Sequence, residues 1–206
     1  MDFLRQPIMI GTVVRIWTPF VIFCIGVSAL IGWIFDIDFL IRYFNDHVSI
    51  KPYTAITAIF AAGVIVNRGY VKKWLAIFIL IIMGAQILDF FEVVVFGMSE
   101  YRHELFFNFP SWATIAMYIT MVYCTQCYEC SRRGGTIIMF LSVSAIIGHI
   151  LDISTLYWYI PEVSTGMAAP TAIIGVHIGS WMLHGYNDTS IDITKVLVKD
   201  PNTSVA

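Results

Sequence analysis

Charge is what this sequence has least of: Asp, Glu, Lys and Arg make up 13% of it, against 58% hydrophobic residues. A soluble domain ordinarily carries about a quarter of its residues charged, because its surface must be clothed in polar groups. The shortage excludes an ordinary soluble domain. Net charge is only −2, so no strong field recommends nucleic acid or an acidic partner. The opening "MDFLRQPIMIGTVVRIW" has a short apolar stretch, an interrupting Arg15 and no small-x-small cleavage site, unlike a secretory leader. Walker A, His-Glu-x-x-His and Gly-x-Ser-x-Gly patterns are missing too. A non-catalytic protein is expected. Cysteine is sparse, yet Cys124, Cys127 and Cys130 stand in Cys-x2-Cys-x2-Cys order, a spacing used by iron–sulfur ligands. On a continuing helix the outer two lie roughly 9 Å apart, and the fourth thiol, Cys24, falls inside an apolar run. The three are a metal candidate, and reduced thiols at the membrane edge are the expectation.

What is present is long apolar runs, with a mean hydropathy of +0.78. Most approach the roughly 20 residues that a bilayer requires. They predict an all-α integral membrane protein with six transmembrane helices over about 18–36, 52–67, 74–97, 110–128, 135–153 and 170–187. An interfacial helix precedes them, ended by Trp17, with Thr18 and Pro19 as N-cap and first residue of the first span. Short basic loops ("NRGYVKK", "SRRGG") alternate with longer aromatic ones. Arg5, Arg15, Arg68, Lys72, Lys73, Arg132, Arg133, Lys195 and Lys199 fall on the side of both termini; Arg42, Lys51 and Arg102 fall opposite. That asymmetry predicts cytoplasmic termini. Residues 188–206 are polar and read as a flexible cytoplasmic tail.

One phrase is written twice: "VSALIGWIFDI" from Val27 and "VSAIIGHILDI" from Val143 share eight of eleven positions. Each ends on an Asp, is followed by an aromatic segment, and precedes a Pro that opens a returning span, Pro52 or Pro170. A looser middle version, "MGAQILDFF", precedes Pro110. Three tandem helical hairpins are expected, about 18–67, 74–128 and 135–187, in a pseudo-threefold repeat within one membrane domain. Aligning the copies on Asp36, Asp89 and Asp152 puts Trp33, Gln86 and His149 three residues earlier, and Gly32, Ala85 and Gly148 four earlier. Those offsets share a helical face. Asp89 lies roughly 24 Å beyond Lys73, near the outer edge of the apolar core. Two readings follow: each Asp N-caps the next surface helix, or the three stripes converge on an outer polar pocket. Glu92, one turn beyond Asp89, belongs to the second.

The matching residues Lys51-Pro52-Tyr53-Thr54-Ala55 and Met167-Ala168-Ala169-Pro170-Thr171-Ala172 give hairpins that resemble the multi-span N-terminal sensor regions of bacterial histidine kinases and diguanylate cyclases. The resemblance covers the first and last thirds of the chain. It implies a sensing role and a bacterial inner membrane. No output domain follows residue 187 in this sequence, so the role requires a separate partner to transmit it.

His149 and His177 are expected in the outer halves of neighbouring helices, where two imidazoles can ligate haem b or hold a quinone. The alternative is that each hydrogen-bonds across the bundle and no cofactor is present. The functional expectation is a non-catalytic membrane module that binds lipids and a ligand or partner membrane protein, in sensing or signalling. Alternatives are an accessory subunit of a larger membrane complex, an electron-transfer subunit, or an ion or proton conductor. The last lacks a continuous polar path.

Overall fold

The computed structural model describes residues 6–43, 48–96, 111–125, 128–158 and 166–185, and each element among them is a helix. In chain order these are α1 (Gln6–Phe35), α2 (Asp38–Arg42), α3 (Pro52–Val66), α4 (Gly69–Phe96), α5 (Trp112–Cys124), α6 (Tyr128–Leu151), α7 (Thr155–Trp158) and α8 (Ala169–Ser180). A single π-helical turn, Trp181–Gly185, prolongs α8.

Three stretches are long and apolar enough to cross a membrane: Val13–Phe35 of α1, Gly69–Leu88 of α4 and Cys130–Leu151 of α6. The other three apolar helices are short. The 15 residues of α3 and 13 of α5 give roughly 20–23 Å of helix, less than the about 30 Å of a hydrocarbon core. The two classes also differ in what they touch. Large exposed apolar side chains line α1 (Trp17, Phe20, Phe23, Ile34), α4 (Val71, Trp74, Ile81, Leu88) and α6 (Ile137, Phe140, Ile150). On α3 and α5 only Val66 and Tyr123, each near an end, are exposed in this way, and on α8 none is, among the described residues. The short helices are therefore inner and the long ones outer.

Composition explains the division. Ala55, Ala58, Ala61 and Ala62 of α3 are buried, as are Gly175 and Gly179 of α8. Small residues permit the close backbone approach on which apolar helices rely when no water is present to drive them together. A Cβ at Gly175 would overlap the Ser142 hydroxyl of α6 and stand 2.9 Å from Met117 Sδ of α5. Neighbours in space follow the chain, α1 on α3, α3 on α4, α4 on α5, α5 on α6 and α6 on α8; α8 and its π turn return to α1. The bundle thus closes on itself. Tyr118 of α5, fully buried, sends its hydroxyl 3.5 Å to the Thr54 carbonyl of α3.

Several expected boundaries move. The separate interfacial helix with a new start at Pro19 is not observed; α1 is continuous and carries Pro19 inside it. Proline there removes a single helical bond and is buried, a defect that apolar helices held by neighbours tolerate. The basic loops shrink, because helix extends into both: Lys72 and Lys73 belong to α4, Arg132 and Arg133 to α6. Asn67 makes the first turn tight by donating both its backbone N–H (2.9 Å) and Nδ2 (2.8 Å) to the Gly63 carbonyl that ends α3. Pro110 lies outside the described residues, and α5 starts instead from Ser111, whose Oγ accepts from Thr114 N at 3.1 Å.

Gly148 and Gly84 give a paired test of this packing. A Cβ at Gly148 would come within 2.8 Å of Leu156 Cβ and 3.0 Å of the Ile153 carbonyl, whereas Gly84 has nothing within 4 Å. Gly148→Ala is expected to destabilise by about 1–3 kcal/mol. Gly84→Ala should be neutral, or stabilising by up to about 1 kcal/mol through helix propensity. Reversible unfolding in mixed micelles reads both.

Candidate functional site

The twice-written phrase ends in the same local geometry on both occasions. Asp36 and Asp152 have φ of 53° and 55°, the left-handed conformation that terminates a helix and that Asp, with its short polar side chain, tolerates. Ile37 N then donates to the Gly32 carbonyl and Ile153 N to the Gly148 carbonyl, both at 2.8 Å. This is the Schellman ending of α1 and α6. Gly32 and Gly148 are small because the chain folds straight back over them: a Cβ at Gly32 would meet Leu40 and Ile41 at 2.8 Å.

These positions revise the roles expected of the aspartates. The residue preceding α2 is Ile37, with no side-chain cap, so Asp36 is not the N-cap of that helix. Both carboxylates are exposed and do not form a closed polar pocket. Asp89 and Glu92 lie within α4, which continues to Phe96; their side chains are outside the described residues. Asp89 therefore does not mark a helix end as Asp36 and Asp152 do.

The ring residues one turn earlier carry the more informative chemistry. Trp33 Nε1 donates to the Ile50 carbonyl at 2.8 Å, and His149 Nε2 lies 2.8 Å from the Met167 carbonyl. A carbonyl only accepts, so the His149 nitrogen facing it carries the proton. The amides of the same two residues are also satisfied: Ile50 N donates to the Ile41 carbonyl at 2.8 Å and Met167 N to the Tyr157 carbonyl at 2.7 Å. Ile50 and Met167 are both 1% exposed and lie outside any helix. Their backbone groups would be costly to bury unpaired, and a ring from the outgoing helix and a carbonyl from the short helix that follows it meet that requirement. His149 also stacks on Tyr157, with centroids 4.2 Å apart and planes at 12°. Burial, then the nearby Asp152 carboxylate, push the Tyr157 phenol up from its usual pKa.

With Nε2–H engaged at the Met167 carbonyl, any ligation through His149 would fall to Nδ1, the nitrogen that carries the lone pair. His177 is half-buried in α8. Gln86 is buried, and its Oε1 has no hydrogen-bond partner among the described residues. Cys124 is buried, Cys130 partly buried and Cys24 exposed; Cys127 is outside the described residues. No grouping of three or more His, Cys, Asp or Glu suited to a metal occurs among the described residues.

The lead-in segments deliver the three inner helices to one place. Lys51, Thr54, Ser111, Thr114, Ala168 and Thr171 line a cavity of about 10 Å³, room for a single water. Thr54, Thr114 and Thr171 occupy the first turns of α3, α5 and α8 and are each 2% exposed. Three helix N-termini, each with partial positive charge, therefore face this point. Lys51 adds a whole charge. It is 9% exposed, and its Nζ reaches Ser49 Oγ at 3.4 Å. Burial, and secondarily repulsion from Arg42, lower its pKa from 10.5 to about 8. Nothing in the doubled phrase pointed to Lys51; the signal available was a lysine directly before the Pro that opens an apolar helix.

No protein-family model, no curated protein and no solved structure matches the chain.

His149→Phe and Trp33→Phe each leave the carbonyl of a residue that is 1% exposed, Met167 or Ile50, without its ring donor, and each is expected to cost about 1–3 kcal/mol. Chemical unfolding of the two variants side by side checks this; no loss in either would contradict the anchoring role.

Proposed function

We propose that the chain is a non-catalytic, six-span membrane module of three tandem hairpins arranged with pseudo-threefold symmetry, with both termini cytoplasmic. At its outer end it binds an acidic group belonging to a ligand or to a neighbouring membrane protein, in a sensing role. The observation that carries this reading is Lys51: an ammonium buried where three helix N-termini meet. An anion placed there offsets both the buried charge and the helix dipoles. The cavity is the size of one water, so recognition extends to a single group, not to a whole molecule.

The hairpin geometry supports a way of passing occupancy on. The lead-in segment that holds Lys51 is tied to α1 through Trp33, and the one that holds Ala168 is tied to α6 through His149. An anion bridging these segments biases the relative tilt of the hairpins, provided it binds two arrangements with different affinity.

Native mass spectrometry of the full chain, extracted in mild detergent, tests the reading. The expected result is a co-released acidic ligand or partner protein at fixed stoichiometry, with retention falling about tenfold or more in Lys51→Gln. Retention should also weaken as pH rises past about 8, where the free ammonium gives up its proton. Asp36→Asn combined with Asp152→Asn should leave it unchanged. Retention insensitive to Lys51 and to pH refutes this assignment, and a fixed protein partner that survives both makes the chain an accessory subunit of a complex.

A further inference from the structure

At the opposite end of the bundle, a cavity of about 620 Å³ opens between α1, the α3–α4 turn and the π turn. Its lining includes three cations, Arg15, Arg68 and Lys72, together with Asn67, Val66 and Trp181, and no carboxylate. From the charge and placement of this cavity we infer a binding site for the headgroup of an anionic phospholipid.

Depth supports a lipid over a soluble ligand. Two of the long apolar stretches begin here, at Val13 and Gly69, so Arg15 and Lys72 lie within the first turns of the hydrophobic zone. Trp17 and Trp74, 57% and 61% exposed, stand on the same helices at the level where indole rings settle between headgroups and acyl chains. The cavity therefore opens at headgroup depth. Its walls suit both halves of such a molecule. Arg15, Arg68 and Lys72 supply charge-assisted donors to phosphate oxygens, and the first turn of the long helix α4 adds its dipole from the same side. Val66 and Trp181 present apolar surface to the glycerol and upper acyl chain.

Lys72 is also held in place: its Nζ lies 3.5 Å from the Thr125 carbonyl, which ends α5. Asn67 directs its side-chain N–H to Gly63, and its side-chain oxygen adds an acceptor to the lining that suits a headgroup hydroxyl. Basic pockets between helices near one membrane face are the recognised setting for acidic headgroups. This site is independent of the Lys51 cavity, and either can fail without the other.

The test uses the full chain in neutral detergent, with dioleoyl phosphatidic acid, dioleoyl phosphatidylcholine and inorganic phosphate as probes and bound lipid counted by native mass spectrometry. The expected result is retention of phosphatidic acid over phosphatidylcholine by about tenfold or more. Arg68→Gln with Lys72→Gln should abolish that preference, and Arg68→Lys with Lys72→Arg should keep it. Arg132→Gln with Arg133→Gln, which removes exposed charge of α6 outside the cavity, should also keep it. Equal retention of both lipids, or a preference surviving Arg68→Gln with Lys72→Gln, overturns the site. So does its loss in the Arg132 and Arg133 variant, which would reduce it to diffuse surface charge. Competition by millimolar inorganic phosphate would overturn the lipid assignment in favour of a free anion.

Discussion

Two backbone carbonyls, those of Ile50 and Met167, set the terms for the rest of the molecule. Each belongs to a non-helical residue that is almost wholly buried. In apolar surroundings such a residue persists only if both its N–H and its C=O are satisfied. The N–H is met by a carbonyl of the short helix after the first turn, the C=O by an aromatic N–H from the long helix before it. Everything needed for this precedes the buried residue in the chain: a glycine over which the chain folds back, an Asp in the left-handed conformation, and a ring one turn earlier.

The lead-in segments fix where α3 and α8 begin, directly after Lys51 and Ala168. Because these helices are enclosed by α1, α4 and α6, they can be rich in Ala, Gly and Thr, and the outer helices carry the large apolar side chains instead. The arrangement also brings Thr54, Thr114 and Thr171 together beside Lys51, although the three threonines are far apart in sequence.

The doubled phrase made the Asp, Gly and ring positions visible from sequence, and the all-helical apolar character was equally plain. The use made of them was not. An acid at the end of an apolar run reads as a pocket or a cap, because the left-handed conformation that explains Asp36 and Asp152 is usually signalled by Gly. Trp33 and His149 occupy matching places but share only a ring N–H, and that common donor is hidden when both are read as parts of a pocket stripe and His149 also as a cofactor ligand. Pro19 reads as a helix start, since local rules place Pro at first turns; neighbours holding α1 on both sides of it override that rule. Lys51 showed in sequence only as a lysine before a helix-opening Pro, because its setting depends on three segments converging.

Amide hydrogen exchange of the full chain in micelles measures the central constraint directly. If the two buried lead-in residues are anchored as described, the amides of Ile50 and Met167 exchange as slowly as those of the inner helices, although both lie outside helix, and His149→Phe accelerates Met167 alone. Rapid exchange at both positions in the unaltered protein would contradict the account, since it would mean that the segments on which the bundle is built are open to water.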